Sequence, residues 1–354
     1  MRSRNPVPLV EITRGRMVES VHYGSLAICQ PDGRRLLSIG DGESPFFMRS
    51  SAKPFQALAF LERGGAEFYR LEDREVALMC ASHSGTPEHL ETLERLQEKI
   101  GIREDDLRCG AHAPYHAESA NRLLLAGEPP RANHNNCSGK HTAMLAFAGM
   151  IGAPPDCYLD NDHPVQRAIL NTFAEMCDVR SDEIELGVDG CTAPVFGLPL
   201  ANAAAGYARL CQPDNLQMER AQACRMITRA MTAFPFMVAG PGRFDTDGME
   251  AGGGAFISKA GAEGYLGLGI LPGKAKIAES ALGIAIKISD GDPDRRATGV
   301  TALAVLSALG FLDARQTESL GAYGRRAVRN WRGEEIGEIR PTRELLEKLE
   351  ALRA

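Results

Sequence analysis

Strand-like segments lie at both ends of this chain and helix-like segments fill its middle, and that order limits the fold more than any other feature. Residues 8–40 carry "LVEITRG", "MVESVHYGSLAICQ" and "RRLLSIGD", rich in Val, Ile, Leu and Thr, with "PDG" at 31–33 as a hairpin turn. From about 45 to 235 the apolar residues recur at helical spacing. In "PEHLETLERLQEKIG", Leu90, Leu93, Leu96 and Ile100 share a face, Thr86 and Pro87 open the helix and Gly101 closes it. From about 236 the strand signature returns in "GGGAFISKAGAEGYLGLGI" and "SALGIAIKISDGD". A helix over "RRATGVTALAVLSALGFL" follows, and the charged end from about 335 predicts a peripheral helix. This order predicts an α/β (α+β) fold with one mixed sheet from the N- and C-terminal segments and an inserted helical subdomain. The expected division is 1–44 plus 236–354 for the sheet and 45–235 for the helices. A cleft at their junction is the expected place for a small-molecule site.

Composition removes several function classes. The formal net charge is -6 over 354 residues, and the basic residues are scattered, so nothing drives binding to nucleic acid or an anionic membrane. No stretch reaches the roughly 18 apolar residues of a membrane span. The N-terminal "MRSRNPVPLVEITRGR" has a positive start but lacks the apolar centre of a secretory signal. Nine cysteines, an odd number, read as reduced thiols in a cytoplasmic protein. The expected partner is a small molecule.

Four stretches carry residues suited to chemistry. In "MRSSAKP", Ser50 and Lys53 are three apart where a helix begins, so both side chains face one side. A serine hydroxyl needs an adjacent base to attack, and a lysine in its neutral form can supply it. The plain alternative is a capped helix start with a solvent-facing lysine; we expect Ser51 to cap. "ASHSGT" places Ser82 in a polar turn after a buried segment, suited to relaying a proton, while Ser84 and Thr86 suit turn and capping bonds. "NNCSGKH" and "DGCTAP" bring Cys137, Lys140, His141, Asp189 and Cys191 into play, either as metal ligands or as buried thiols beside a helix start. "SKAGAEG" sets Lys259 on a glycine-rich strand where a ligand can approach the backbone; an ordinary edge lysine is the alternative.

The order of S-x-x-K, a later serine-bearing turn and a late K-x-G is similar to the S-x-x-K, S-D-N and K-T-G elements of serine β-lactamases and penicillin-binding proteins. More specifically, "VEITRG", "VESVHYGSLAI", "MRSSAKP", "CASHSGT", "NNCSGKH", "DGCTAP" and "KAGAEG" together resemble the asparaginase II family of the Rhizobium etli type. The resemblance implies a serine β-lactamase/glutaminase-like fold and hydrolysis of L-asparagine to L-aspartate and ammonia. It implies Ser50 as nucleophile with Lys53 as base, a second pair of Ser82 and Lys259, and a zinc ion held by Cys137, Lys140 and Cys191. Arg49, His141 and Asp189 take substrate-binding positions, and a homodimer is implied. Lys274 and Lys276 rival Lys259, and His141 is the fallback metal ligand because a lysine must shed its proton to coordinate. Other readings are a glutaminase or β-lactam-type serine hydrolase on the same fold, and a non-catalytic zinc or amino-acid binding protein.

Overall fold

A computed structural model describes residues 5–352. The chain opens with strands β1 (Val7–Arg14), β2 (Met17–Cys29), β3 (Arg35–Ile39) and β4 (Pro45–Phe47). Helices α1 (Lys53–Leu61), α2 (Gly65–Tyr69), α3 (Asp73–Met79), α4 (Pro87–Ile100), α5 (Ala117–Ala126), α6 (Ser138–Met150) and α7 (Pro164–Cys177) follow. Strands β5 (Glu185–Val188) and β6 (Pro194–Pro199) precede α8 (Leu200–Cys211), α9 (Met218–Ala233), α10 (Pro235–Val238) and α11 (Phe244–Ala251). The rest is β7 (Phe256–Ala260), β8 (Tyr265–Ile270), β9 (Leu282–Ile288), α12 (Thr298–Ala308), α13 (Ala314–Ser319), β10 (Arg326–Arg329), β11 (Glu335–Pro341) and α14 (Arg343–Glu350). Two compact units result. One holds the chain up to Arg49, Leu198–Gln212 and the chain from Ala251 on; the other holds Ser50–Gly197 and Pro213–Glu250.

The first unit is built on an eight-stranded sheet of order β10-β11-β1-β2-β9-β8-β7, with β3 also paired to β2. The two ends of the chain do form one sheet, and each neighbouring pair in it is antiparallel, where a mixed sheet was expected. Three features depart from the sequence reading. The segment 198–212, expected among the inserted helices, packs on the sheet as α8. Its seat is a strip of Gly267 and Gly269 on β8 and Gly283 on β9: a Cβ at Gly283 would fall 1.8 Å from the Ala204 carbonyl, and one at Gly267 2.1 Å from the Tyr207 ring. These glycines therefore form a flat bed for a helix. The strands of this sheet also resume only at Phe256, because 235–251 carries α10 and α11. Finally, the charged segment from Glu335 starts as strand β11, with Arg340 opposite Glu11 on β1, before α14. Cross-strand charge pairing, with Arg340 Nε 2.6 Å from Glu11 Oε1, lets this polar sequence form a strand between β10 and β1.

The second unit is mainly helical. All nine residues of α1 are buried, so it is surrounded on every side rather than amphipathic. Phe55 of α1 meets Phe173 of α7 edge-on at 5.5 Å, and Phe60 lies 5.8 Å from Phe147 of α6. This packing carries the first residue of α1, Lys53, into the interior. Among the described residues no helix is long and apolar enough to cross a membrane, and all nine cysteines are free thiols.

Candidate active site

The S-x-x-K stretch begins with a 3₁₀ turn over Arg49–Ala52, and α1 proper starts at Lys53 with Pro54 in its first turn. Residues three apart eclipse one another in a 3₁₀ turn, which sets Ser50 and Lys53 on one side. The N-cap is Ala52 with no side-chain cap, so the expected capping by Ser51 is not what starts the helix; Ser51 is buried instead. Arg49, the first residue of the turn, sits at φ 51°. A non-glycine residue in the left-handed region costs about 1–3 kcal/mol, and such strain gathers where a side chain must be aimed. Ser50 is half-buried, and its hydroxyl makes no hydrogen bond among the described residues.

Lys53 is 1% exposed, and its Nζ meets three oxygens: the carbonyls of Ala81 and of Asn136 (3.2 Å) and Ser82 Oγ (3.0 Å). Three acceptors suit the three protons of an ammonium. In the neutral amine the two N–H groups go to the carbonyls and the lone pair faces the Ser82 hydroxyl. Ser82 itself is buried, and its N–H donates to the Val238 carbonyl at 2.9 Å.

The turn that carries Ser82 is fixed by a residue the sequence reading passed over. The Gly85 N–H donates to His83 Nδ1 (3.2 Å), so Nε2 carries the proton and donates to Ser138 Oγ (2.8 Å), which donates on to the Asn133 carbonyl. Burial holds His83 well below the ordinary histidine value, in its neutral form. This ties "ASHSGT" to "NNCSGKH"; the histidine between two serines was the available signal. Thr86 caps α4, and Ser84 donates to the Ala239 carbonyl, in line with their expected local roles.

Cys137, Lys140 and Cys191 are buried together. Lys140 Nζ lies 3.1 Å from Cys191 Sγ. The Cys137 thiol is held well below its ordinary value, first by a hydrogen bond from Cys191 and then, against burial, by the charges of Lys53 and Lys140. Cys191 is pushed up by that hydrogen bond and by burial. Burial opposes charge on Lys140, but the Cys191 and Cys137 sulfurs outweigh it and raise the amine above its usual value. A tight turn presents Cys191: Asp189 N–H bonds the Ala193 carbonyl, Thr192 N–H bonds the Asp189 carbonyl, and Thr192 sits at φ 66°. A β-branched residue in that region is an outlier, held here by the Thr192 hydroxyl, 2.6 Å from the Arg108 carbonyl.

His141 is fully buried, with Nδ1 2.6 Å from the Tyr158 hydroxyl and Nε2 enclosed without a partner among the described residues. Burial keeps it neutral. Two sulfurs and an amine nitrogen are thus the donors present for a metal, with the His141 nitrogen next in sequence to Lys140. Among the described residues no group of three His, Cys, Asp or Glu side chains is arranged to hold one. Asp189 is half-buried. Ser50, Lys53, Ser82, Cys137, Lys140, His141, Asp189 and Cys191 all belong to the helical unit. Arg49 and Lys259 belong to the sheet unit. Lys259, on β7, is fully buried and donates to the Ala260 carbonyl at 2.6 Å, whereas Lys274 and Lys276 are exposed.

The sequence matches the profile of L-asparaginase II over residues 10–341. The chain belongs to the L-asparaginase II family. No curated protein matches it. Among solved structures it is similar to Mglu in its native form at 4.3 M NaCl, with a TM-score of 0.45 and 14% identity, over 82% of this chain. The chain spans 62% of Mglu's length. It is also similar to a probable glutaminase from Bacillus subtilis complexed with 6-diazo-5-oxo-L-norleucine, at TM-score 0.35 and 14% identity, over 76% of this chain and 78% of that one.

Proposed function

We propose that this L-asparaginase II family member hydrolyses L-asparagine to L-aspartate and ammonia through an acyl-enzyme on Ser50. The observation that carries the reading is the seating of Lys53: two backbone carbonyls and Ser82 Oγ surround its amine, one turn from Ser50. Neutral Lys53 is the base: its lone pair takes the Ser82 hydroxyl proton as Ser82 Oγ takes that of Ser50, and Ser50 Oγ attacks the side-chain amide carbon. The tetrahedral intermediate collapses as Ser82, hydrogen-bonded to Lys53, passes a proton to the departing nitrogen, and ammonia leaves. Water then attacks the ester carbon, its proton returning by the same route, and Ser50 is freed. Lys259 supplies positive charge to the developing oxyanion, with Arg49 and Asp189 binding the substrate's charged groups.

The reading includes a zinc ion on Cys137, Lys140 and Cys191, with His141 as the alternative ligand. Sulfur and nitrogen donors of this kind suit zinc, and His141 Nε2, without a hydrogen-bond partner among the described residues, is a further nitrogen next in sequence to Lys140. Bound there, zinc would offer a positive anchor to the substrate's α-amino and carboxylate region. A cytoplasmic homodimer completes the proposal. The test is ammonia release from asparagine and from glutamine by wild type and Ser50→Ala, together with metal analysis. Turnover of asparagine that Ser50→Ala abolishes supports the reading; preference for glutamine moves the substrate, and a fully active Ser50→Ala removes the nucleophile.

A further inference from the structure

One hydrogen-bond junction joins the Lys53 seat to a loop outside the sequence motifs. The Asn136 carbonyl is one of the three oxygens around Lys53 Nζ. The Asn136 N–H donates to His112 Nε2 at 3.0 Å, and His112 Nδ1 lies 2.7 Å from the Ala113 carbonyl. Those partners fix the tautomer: Nδ1 carries the proton and Nε2 is the acceptor. The end of the Asn136 amide that lies 3.3 Å from Nε2 must then be its NH₂, because an oxygen there would face a lone pair. The same amide end is 3.4 Å from Cys137 Sγ. The His112 ring is held in place by stacking on Tyr115 at 4.9 Å. The neighbouring Asn135 ties the same loop from the other side: its amide donates to the Cys109 carbonyl at 2.8 Å while its oxygen accepts from Cys137 N–H at 2.9 Å.

We propose that His112 is a positioning residue for the hydrolysis, holding Asn136 so that its carbonyl aims the Lys53 amine at Ser82. The inference rests on the serine–lysine reading above. His112 makes no hydrogen bond to Lys53 or Ser82; it acts through Asn136, whose N–H and side-chain amide both meet Nε2, while Nδ1 is held by the Ala113 carbonyl. Loss of the ring frees the Asn136 N–H, lets the carbonyl drift and turns the Lys53 lone pair away from the serine. Substrate binding is untouched by that change, so the effect falls on kcat.

The experiment measures kcat, KM and thermal unfolding for wild type, His112→Ala and His112→Gln with asparagine and glutamine. A misplacement of order 1 Å costs up to about 100-fold in rate, so His112→Ala is expected to lower kcat about 10- to 100-fold with KM within about threefold. In His112→Gln the side-chain oxygen accepts from Asn136 N–H and the amide donates to Ala113, so most of kcat returns. Should His112→Ala fail to fold, the glutamine variant carries the test. The inference is overturned by a His112→Ala kcat within about twofold of wild type, or by a soluble, folded His112→Gln that has lost kcat as far as an alanine is expected to. A wild type that releases ammonia from neither amide overturns the serine–lysine reading and the inference with it, whereas an active wild type with an unaffected His112→Ala overturns the inference alone.

Discussion

Gly139, between Cys137 and Lys140, is where the site depends on close approach of two helices. A Cβ there would lie 2.3 Å from the backbone oxygen of Leu78, 3.0 Å from its carbonyl carbon and 3.2 Å from its Cγ. The first obstacle is backbone and cannot rotate aside, so in Gly139→Ala helix α6 must move off the end of α3 by about 1 Å to restore ordinary contact. Overpacking of this kind costs about 1–3 kcal/mol, and alanine's helix propensity returns up to about 1 kcal/mol, leaving a net loss of up to about 2 kcal/mol. The rate should suffer more than the stability. Leu78 is four residues before Ser82, and α6 starts immediately after Cys137, so the shift separates the Asn136 carbonyl from the Ala81 carbonyl across Lys53. A displacement near 1 Å corresponds to a loss of kcat of up to about 100-fold. Denaturant unfolding and steady-state ammonia release on the same preparation read both effects. Gly149→Ala, in the same helix, is the control: its Cβ would meet only the Tyr69 hydroxyl, at 3.2 Å and at the end of a side chain that can give way. Wild-type stability and kcat in Gly139→Ala would refute the argument, as would equal damage from Gly149→Ala.

Ser82→Ala removes the hydroxyl that faces the Lys53 amine, and kcat should fall by about 100- to 10,000-fold while the midpoint of unfolding moves little; near-wild-type kcat would remove Ser82 from the proton route. Burial lowers His89 to about 4 from the ordinary 6.5, opposed by its bond to the Phe236 carbonyl. The folded protein keeps it neutral while the unfolded chain takes up a proton below 6.5, so stability falls as pH drops through that window and this group's share levels off below 4. Its share is about 3 kcal/mol, and His83 and His141 act with the same sign. Urea unfolding at pH 7, 6 and 5 should show the loss before carboxylates titrate; a flat profile contradicts it. If zinc sits on Cys137, Lys140 and Cys191 as proposed, Cys191→Ser should lower the metal content of the purified protein, read by elemental analysis, while a metal-free wild type or unchanged metal content would contradict that site.

The sheet at both chain ends was legible because its strands are runs of Val, Ile and Leu broken by turn residues. Helix α4 was legible to the residue, since Thr86 caps it and Gly101, at φ 73°, stops it. Strand β11 was hidden because its stability comes from charge pairs such as Arg340 with Glu11, which no apolar pattern announces. The place of α8 was hidden for the opposite reason: glycines 267, 269 and 283 signal turns locally but serve a long-range contact. At the site, residue types and short spacings exposed Ser50, Lys53, Ser82, Cys137, Lys140 and Cys191. The contact of Lys53 with Ser82 and two carbonyls, and the supports His83 and His112, depend on loops that meet only in three dimensions.

The central claim is attack by Ser50. Rapid acid quench of the enzyme during asparagine turnover, followed by peptide mass mapping, tests it directly. The account predicts an aspartyl adduct on the peptide carrying Ser50, absent in Ser50→Ala. An adduct on Ser82 instead, or an undiminished rate in Ser50→Ala, would contradict it.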